Sequence, residues 1–413
     1  MRVLHLITGL GAGGAEQQLR LLLRHLPGTG DVVTLTNPGA VADGIRADGG
    51  RVRCLGMRGN RDLTALPRLV RLLRGGRYDV VHTHLYRACV YGRLAARLAG
   101  VRTVLATEHS LGRAAIEGRP LTPGVRALYL ATERLGSATV AVSSTVAERL
   151  RAWGVPAHRI HLVPNGIDAA ALRHDPAVRA ATRARLGLPA DATVVGGVGR
   201  LVPGKRFDTL LRACAALPGI RLLLVGDGPE RPRLARLAEE LGMAGRLHLT
   251  GECAGAVAGA PGTGPDGRPA LPGLLAAMDL CVSPSTEEAF GLSVLEALAA
   301  GLPVLYVTCP AVEEMPRSAA PGAVRVAPGT AALTAALRVH LAGGTPRLPV
   351  PSVVGRYDIA RSAARLQELY RLLAGRPGAR GAPHPPAPAP AHGPAHRPDL
   401  PTPHTAPPTT TKR

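Results

Sequence analysis

The chain has 413 residues and 46% apolar content, enough material for two cored domains and too much apolar sequence for wholesale disorder. Its formal net charge is +21, yet arginine carries almost all of it (lysine stands only at Lys205 and Lys412), and 2% aromatic residues leave too few rings to stack bases, so nucleic acid is excluded as a partner. The six cysteines show no CxxC pairing, the N-terminus lacks a secretory pattern, and no apolar run reaches membrane-spanning length, which predicts a cytoplasmic protein with reduced thiols.

Residues 3–8 read as a strand, followed by Gly9-Leu-Gly-Ala-Gly-Gly14 and a helix from Ala15 to Leu26 whose buried face is Leu19, Leu22, Leu23 and Leu26. Gly9-x-Gly11-x-x-Gly14 matches the dinucleotide fingerprint, but the strand Val32–Thr36 ends at Asn37, where that fingerprint wants an acid for the ribose. The stretch Arg51–Arg77 carries arginines at 51, 53, 58, 61, 68, 71, 74 and 77. On a predicted helix Leu63–Arg74 they oppose an apolar face of Leu66, Leu69, Val70 and Leu73. That is either a solvated basic face or a patch for an anionic bilayer, with peripheral attachment to the inner membrane face.

Strands then end at His82 and His84, and at Thr107-Glu108-His109-Ser110. His-x-His suits a metal, but no third ligand lies at telling spacing, so no metal is expected. Strand and helix keep alternating through Ala138–Ser144, as in a parallel sheet.

Further along, Gly199-x4-Gly204-Lys205 nearly matches a phosphate-binding P-loop, but Arg206 stands where Ser or Thr must hold Mg²⁺. Arg221–Glu230 is a strand and turn in which Asp227 either faces a ligand or caps the next helix. Arg246–Gly251 is another strand, and the Gly- and Pro-rich Cys253–Pro272 reads as an insertion beside the site, a lid. Asp279–Ser283 is a buried strand, and Ser293–Ala300 a helix stopped by Gly301 and Pro303. The turn between them carries Glu288 and leads to Glu296. Gly291 lets a ligand approach the backbone, where the amides of Leu292 and Ser293 face a phosphate. The plain alternative is a capping box, Ser293 with Glu296, and a solvated Glu288. Tyr357–Ala374 has the periodicity of a closing helix, and from Gly375 a Pro-, Ala- and His-rich tail cannot bury a core.

Gly13-Gly-Ala-Glu16, Val163-Pro-Asn-Gly-Ile-Asp168, Gly199-Arg200-x4-Lys205, Val225-Gly-Asp-Gly-Pro229 and Glu288-x7-Glu296 occur in that order. Together they resemble the retaining, nucleotide-sugar-dependent glycosyltransferases of family 4, over residues 1–374. The resemblance implies an α/β GT-B fold, two Rossmann-like domains facing across a cleft. Residues 1–168 would form the acceptor side, residues 169–374 the donor side, and residues 375–413 a disordered tail. It implies transfer of a hexose-type sugar from a nucleoside-diphosphate sugar to a glycan, lipid-linked or small-molecule acceptor, with no cofactor and no metal.

By the same resemblance, Arg200 and Lys205 stabilise the diphosphate, Glu288 and the Phe290-Gly291-Leu292 backbone hold sugar and phosphate, and Glu296 holds ribose. Gly13 and Gly14 line the opposite wall, Asn165 lies at the interdomain joint, Asp227 sits under the nucleotide, and His109 contacts sugar or acceptor. The resemblance also puts His82 and His84 in the acceptor-facing cleft; the plain alternative for each histidine is a hydrogen-bonded strand-end residue, the reading preferred for His82. Two positions depart from the family: Arg206, where Gly usually follows the lysine, and Cys309-Pro310, near its usual Gly-Gly. The rival readings are an epimerase of the same fold, and a nucleotide-sugar-binding protein without turnover.

Overall fold

The computed structural model describes residues 1–28, 30–59, 62, 64–255 and 270–375. Its first half holds strands β1 (Val3–Ile7), β2 (Asp31–Thr34), β3 (Arg51–Cys54), β4 (Val80–His84) and β5 (Thr103–Glu108), a hairpin of β6 (Ala115–Ile116) and β7 (Arg119–Pro120), then β8 (Ala138–Ala141) and β9 (Ile160–Leu162). The second half holds β10 (Thr193–Val198), β11 (Ile220–Val225), β12 (Leu247–Leu249), β13 (Leu280–Ser283), β14 (Val304–Tyr306) and β15 (Ala323–Arg325).

The first sheet has the order β3-β2-β1-β4-β5-β8-β9 and the second β12-β11-β10-β13-β14-β15. Every pairing in both is parallel. The central strands are buried almost end to end, as helices on both faces of a parallel sheet require. These are two Rossmann-like halves. In each, strand order reverses beside the first strand, between β1 and β4 and between β10 and β13. Ligands of such sheets bind outside the carboxyl ends of the strands at that reversal. The loops there are 8–13 and His84–Leu85 in one half, and 199–206 and 284–291 in the other.

The halves are stitched at several levels. One apolar cluster contains Tyr86, Leu111 and Val146 of the first and Phe290, Val294 and Leu295 of the second. Residues 163–168 cross between them next to the returning chain: Ile167 N–H donates to Tyr357 O at 2.8 Å, and Ile359 N–H to Ile167 O at 3.1 Å. Gly166 has no room for a side chain, because a Cβ would lie 2.5 Å from Ile359 Cα.

The closing helix starts at Ile359 rather than Tyr357, since Asp358 caps it by accepting the Ala360 N–H. It then packs on the helix Gly14–His25 of the first half. The arginine-rich helix spans Ala65–Gly76, with Leu69 and Leu73 buried. Arg61 and Leu63, residues 256–269 of the expected lid, and the tail from residue 376 lie outside the described residues.

Candidate active site

The loops at the carboxyl ends of the second sheet are held first by backbone. Gly226 and Gly228 take positive φ, and Cβ atoms there would lie 2.1 Å from Gly199 O and 2.4 Å from Leu201 O. Leu201 N–H donates to Asp227 O at 2.9 Å, and Glu230 N–H to Leu201 O at 3.0 Å. Val225-Gly-Asp-Gly-Pro229 is therefore the bed on which the Gly199–Lys205 turn lies. Asp227 does not cap the helix Arg231–Glu240; Glu230 occupies that position, and Asp227 Oδ1 accepts the Gly228 N–H at 2.7 Å.

From the neighbouring strand, Ser285 donates its hydroxyl to Gly204 O at 3.2 Å and ties the loop after β13 to the same turn. The result is an ion pair across the reversal: Lys205 Nζ lies 2.5 Å from Glu288 Oε1, with 28% and 11% of the two side chains exposed. Arg206 holds the left-handed conformation at φ 53, so the backbone keeps a glycine-like geometry although the residue is not glycine.

Gly291 closes this wall. Its φ is +99, and a Cβ would stand 2.4 Å from Cys309 Sγ. It caps the helix Leu292–Ala299 with no side-chain hydrogen bond, so the Ser293–Glu296 capping box does not form. Glu296 is half-buried, and burial raises its carboxyl to about 7. Phe290 is a core residue: its ring meets Tyr357 edge-on at 5.1 Å, and its carbonyl accepts the Ala311 N–H at 3.0 Å. Only its backbone adjoins the site.

Across the cleft, Gly14 faces Leu292: a Cβ at Gly14 would lie 3.6 Å from Leu292 Cδ1, an ordinary van der Waals distance. Glu16 folds its carboxylate back over Gly13. Burial raises that carboxyl to about 7, while its own backbone N–H and nearby Arg200 pull it down. Glu117 sits on the β6–β7 turn, where its carboxylate accepts the Tyr86 N–H. Burial raises it as well, against Arg119, Arg87 and Arg200. Arg200, exposed on the second half, is a cation whose charge lowers both of these carboxyls of the first.

The walls are also latched directly. Ser143 donates its hydroxyl to Ala289 O at 2.6 Å, Ser144 N–H donates to Glu314 at 2.9 Å, and Arg149 lies 3.4 Å from Glu287. Asn165 is buried at the crossing, beside Gly166, whose N–H donates to Gln18 at 3.2 Å.

The histidines lie along one face of the first sheet. Parallel pairing places His5 of β1 beside His82 of β4. His82 bonds Tyr370 OH and Thr107 Oγ1, each at 2.6 Å, so it is the hydrogen-bonded strand-end histidine preferred from the sequence, held under the closing helix and not in the cleft. His109 is 9% exposed, with its Nδ1 buried and unpartnered. His5, His82 and His84 bring ring nitrogens within 4.8 Å of one another, so a third histidine does join the His-x-His pair. Both nitrogens of His82 and both of His84 already serve hydrogen bonds, which makes the set a poor fit to a metal.

Residues 12–171 match Glycosyltransferase Family 4 and residues 192–342 match Glycosyl transferases group 1. The D-inositol 3-phosphate glycosyltransferase of Thermobispora bispora is 32% identical over 333 residues, 75% of this chain and 74% of that one. The protein belongs to the family 4, group 1 glycosyltransferases.

The like-named protein of Mycobacterium bovis BCG Pasteur is 31% identical over 73% of this chain, and the match spans only 56% of its length. Among solved structures, Anabaena HepE in complex with UDP and glucose superposes with TM-score 0.76 at 22% identity, covering 89% of this chain and 99% of that one. Sucrose-phosphate synthase of Thermosynechococcus elongatus gives 0.71 at 23%, covering 91% and 100%. These neighbours share the GT-B fold with this glycosyltransferase.

Several site residues of this glycosyltransferase carry no spacing signal. Glu16 belongs to the Gly-Gly-Ala-Glu motif but invites no role until the fold buries its carboxyl within the influence of Arg200. Glu117, Glu287 and His5 become neighbours of the cleft or of its histidines only through loop packing and strand pairing.

Proposed function

We propose that this glycosyltransferase is a retaining enzyme that moves a hexose-type sugar from a nucleoside-diphosphate sugar to a glycan, lipid-linked or small-molecule acceptor. The observation that carries the reading is the Lys205–Glu288 pair at the reversal of the second sheet, with Arg200 on the same loop as the lysine. Two cations on one loop stabilise the charge that grows on a leaving diphosphate. They also fill the role a metal plays elsewhere, so turnover is expected to be metal-independent.

In this reading residues 1–168 form the acceptor side and residues 169–374 the donor side. Glu296 accepts hydrogen bonds from the ribose hydroxyls, and Asp227 lies under the nucleotide. Glu288 and the Phe290-Gly291-Leu292 backbone hold sugar and phosphate. Gly13 and Gly14 leave room on the facing wall, Asn165 stands at the joint, and His109 meets sugar or acceptor. On one face of the sugar, the departing phosphate takes the acceptor's proton as the glycosidic bond breaks. UDP and glucose in the HepE complex, and the inositol phosphate in the relatives' name, indicate the donor and acceptor classes to try first.

A contact with anionic membrane through Arg51–Arg77 would bring a lipid-linked acceptor within reach. Part of that patch is already tied internally, Arg51 to Asp31 at 2.8 Å and Arg68 to Asp62 at 3.0 Å. No described helix is long and apolar enough to cross a membrane.

The test is a thermal-shift screen against UDP-, GDP-, ADP- and dTDP-sugars with EDTA present, since a ligand of the native state raises its apparent stability. A shift with one nucleotide class, followed by NMR of the product anomer with polyol phosphate acceptors, supports the assignment. A cooperatively melting protein that responds to none overturns it. Conversion of donor without any acceptor would indicate the epimerase, and binding without turnover a non-catalytic protein.

A further inference from the structure

The cleft histidine does not stand alone. His5 Nδ1 lies 3.1 Å from His84 Nε2, and His84 Nδ1 lies 3.1 Å from His109 Nε2. The chain of rings is buried throughout: His5 is 2% exposed, His84 0% and His109 9%. It ends at His109 Nδ1, a buried nitrogen with no partner, at the carboxyl end of β5. We propose that His5 and His84 are positioning residues that fix the tautomer and ring orientation of His109 and so decide what its Nδ1 offers a sugar or acceptor hydroxyl.

Three neutral rings joined by two bonds have only two consistent proton arrangements. In one, His5 donates to His84 and His84 to His109, which leaves His109 Nδ1 carrying N–H as a donor. In the other, His109 donates to His84 and His84 to His5, and Nδ1 presents a lone pair. His84 is the hinge of both, because it alone of the three bonds on each side.

Burial supports neutrality, holding His5 and His109 down to about 4 and His84 well below its ordinary value. The next residue adds a sign of function. Leu85 sits at φ 72, ψ 149, a region almost restricted to glycine. Such backbone strain persists where surrounding structure enforces it, and it clusters at functional sites. Here it ends β4 directly behind the ring that joins the chain.

The inference rests on His109 acting in the proposed transfer, so the experiment has one arm that needs no turnover. Long-range ¹H–¹⁵N spectra of histidine-labelled full-length protein should show His5, His84 and His109 neutral, each in one tautomer, and without titration between about pH 8 and 5.5. In His84→Phe, and independently in His5→Phe, His109 should become a tautomer mixture. The kinetic arm expects His84→Phe to lower kcat roughly tenfold or more at unchanged donor KM, the signature of a misplaced group.

An ordinary titration of His109 in the wild-type protein overturns the proposal even if His84→Phe fails to fold. So does a single His109 tautomer in both variants, an unchanged kcat, or one equivalent of zinc that His5 and His84 substitutions release. Absence of wild-type turnover with any donor would sink the transferase reading, while the spectra would still decide the chain of rings.

Discussion

Lys205 and Glu288 come from loops 83 residues apart in sequence and meet at 2.5 Å where the second sheet reverses. Each neutralises the other's charge. In the proposed transfer, a diphosphate entering there would offer Lys205 a second anion and free Glu288 to turn towards sugar hydroxyls. In that reading the pair is a placeholder: the exchange swaps one partner for another, so neither the lysine nor the 11%-exposed carboxylate is left bare.

Lys205→Ala should therefore lower donor-dependent turnover at least about tenfold, at a stability cost of about 1–3 kcal/mol for leaving the largely buried Glu288 without its partner. Steady-state kinetics and a urea titration read the two numbers separately. Unchanged turnover would remove Lys205 from the diphosphate clamp.

With Glu296 holding the ribose as proposed, donor affinity should depend on pH through its carboxyl. Burial raises its carboxyl to about 7, and only the ionised form can accept from both ribose hydroxyls. Binding of a UDP-sugar, measured calorimetrically, should weaken severalfold from about pH 8 to 6. Glu296→Gln should bind weakly and show no such slope. Its stability has the opposite trend. A carboxyl raised in the fold costs stability as pH climbs from about 4.5 through 7, so the Gln variant should gain on wild type over that interval. A pH-dependent Gln variant would place the titrating group elsewhere.

Much of this architecture is legible in the sequence because it is local. Strand–Gly–helix punctuation marks the sheet order's raw material, and Gly199-Arg200-x4-Lys205 and Glu288-x7-Glu296 mark the two loops that meet. What spacing cannot carry is lateral. His5 and His82 are neighbours only because β1 and β4 pair in register. Glu287 reaches Arg149, and the charge of Arg200 acts on Glu16 and Glu117, only because the halves close on each other. Asp227 shows the same limit from the other side: the sequence permits a helix cap there, and the packing of Gly226 and Gly228 on the 199–201 backbone directs it elsewhere.

Arg206 offers a test of a family departure. It holds φ 53, a conformation that costs an L-residue about 1–2 kcal/mol, against which glycine loses up to about 1 kcal/mol of chain entropy on folding. Its side chain contributes a hydrogen bond to Thr209 at 3.1 Å and an exposed pair with Asp208 at 3.5 Å. Arg206→Gly should thus be neutral or stabilising by up to about 1 kcal/mol and should keep wild-type turnover. A tenfold loss of turnover would show that the guanidinium touches the ligand.

The other departure, Cys309, should be coupled to Gly291. A Cβ at Gly291 meets Cys309 Sγ at 2.4 Å, and φ +99 penalises any side chain there independently. Gly291→Ala should therefore cost at least about 2 kcal/mol, part of it steric and part conformational. Cys309→Ala removes the sulfur, so the double variant should recover the steric part only. Chemical denaturation of the two single variants and the double gives the interaction energy directly. Simple additivity would mean that the thiol already yields to a methyl group, and that the tight floor beneath Gly291 is set by backbone alone.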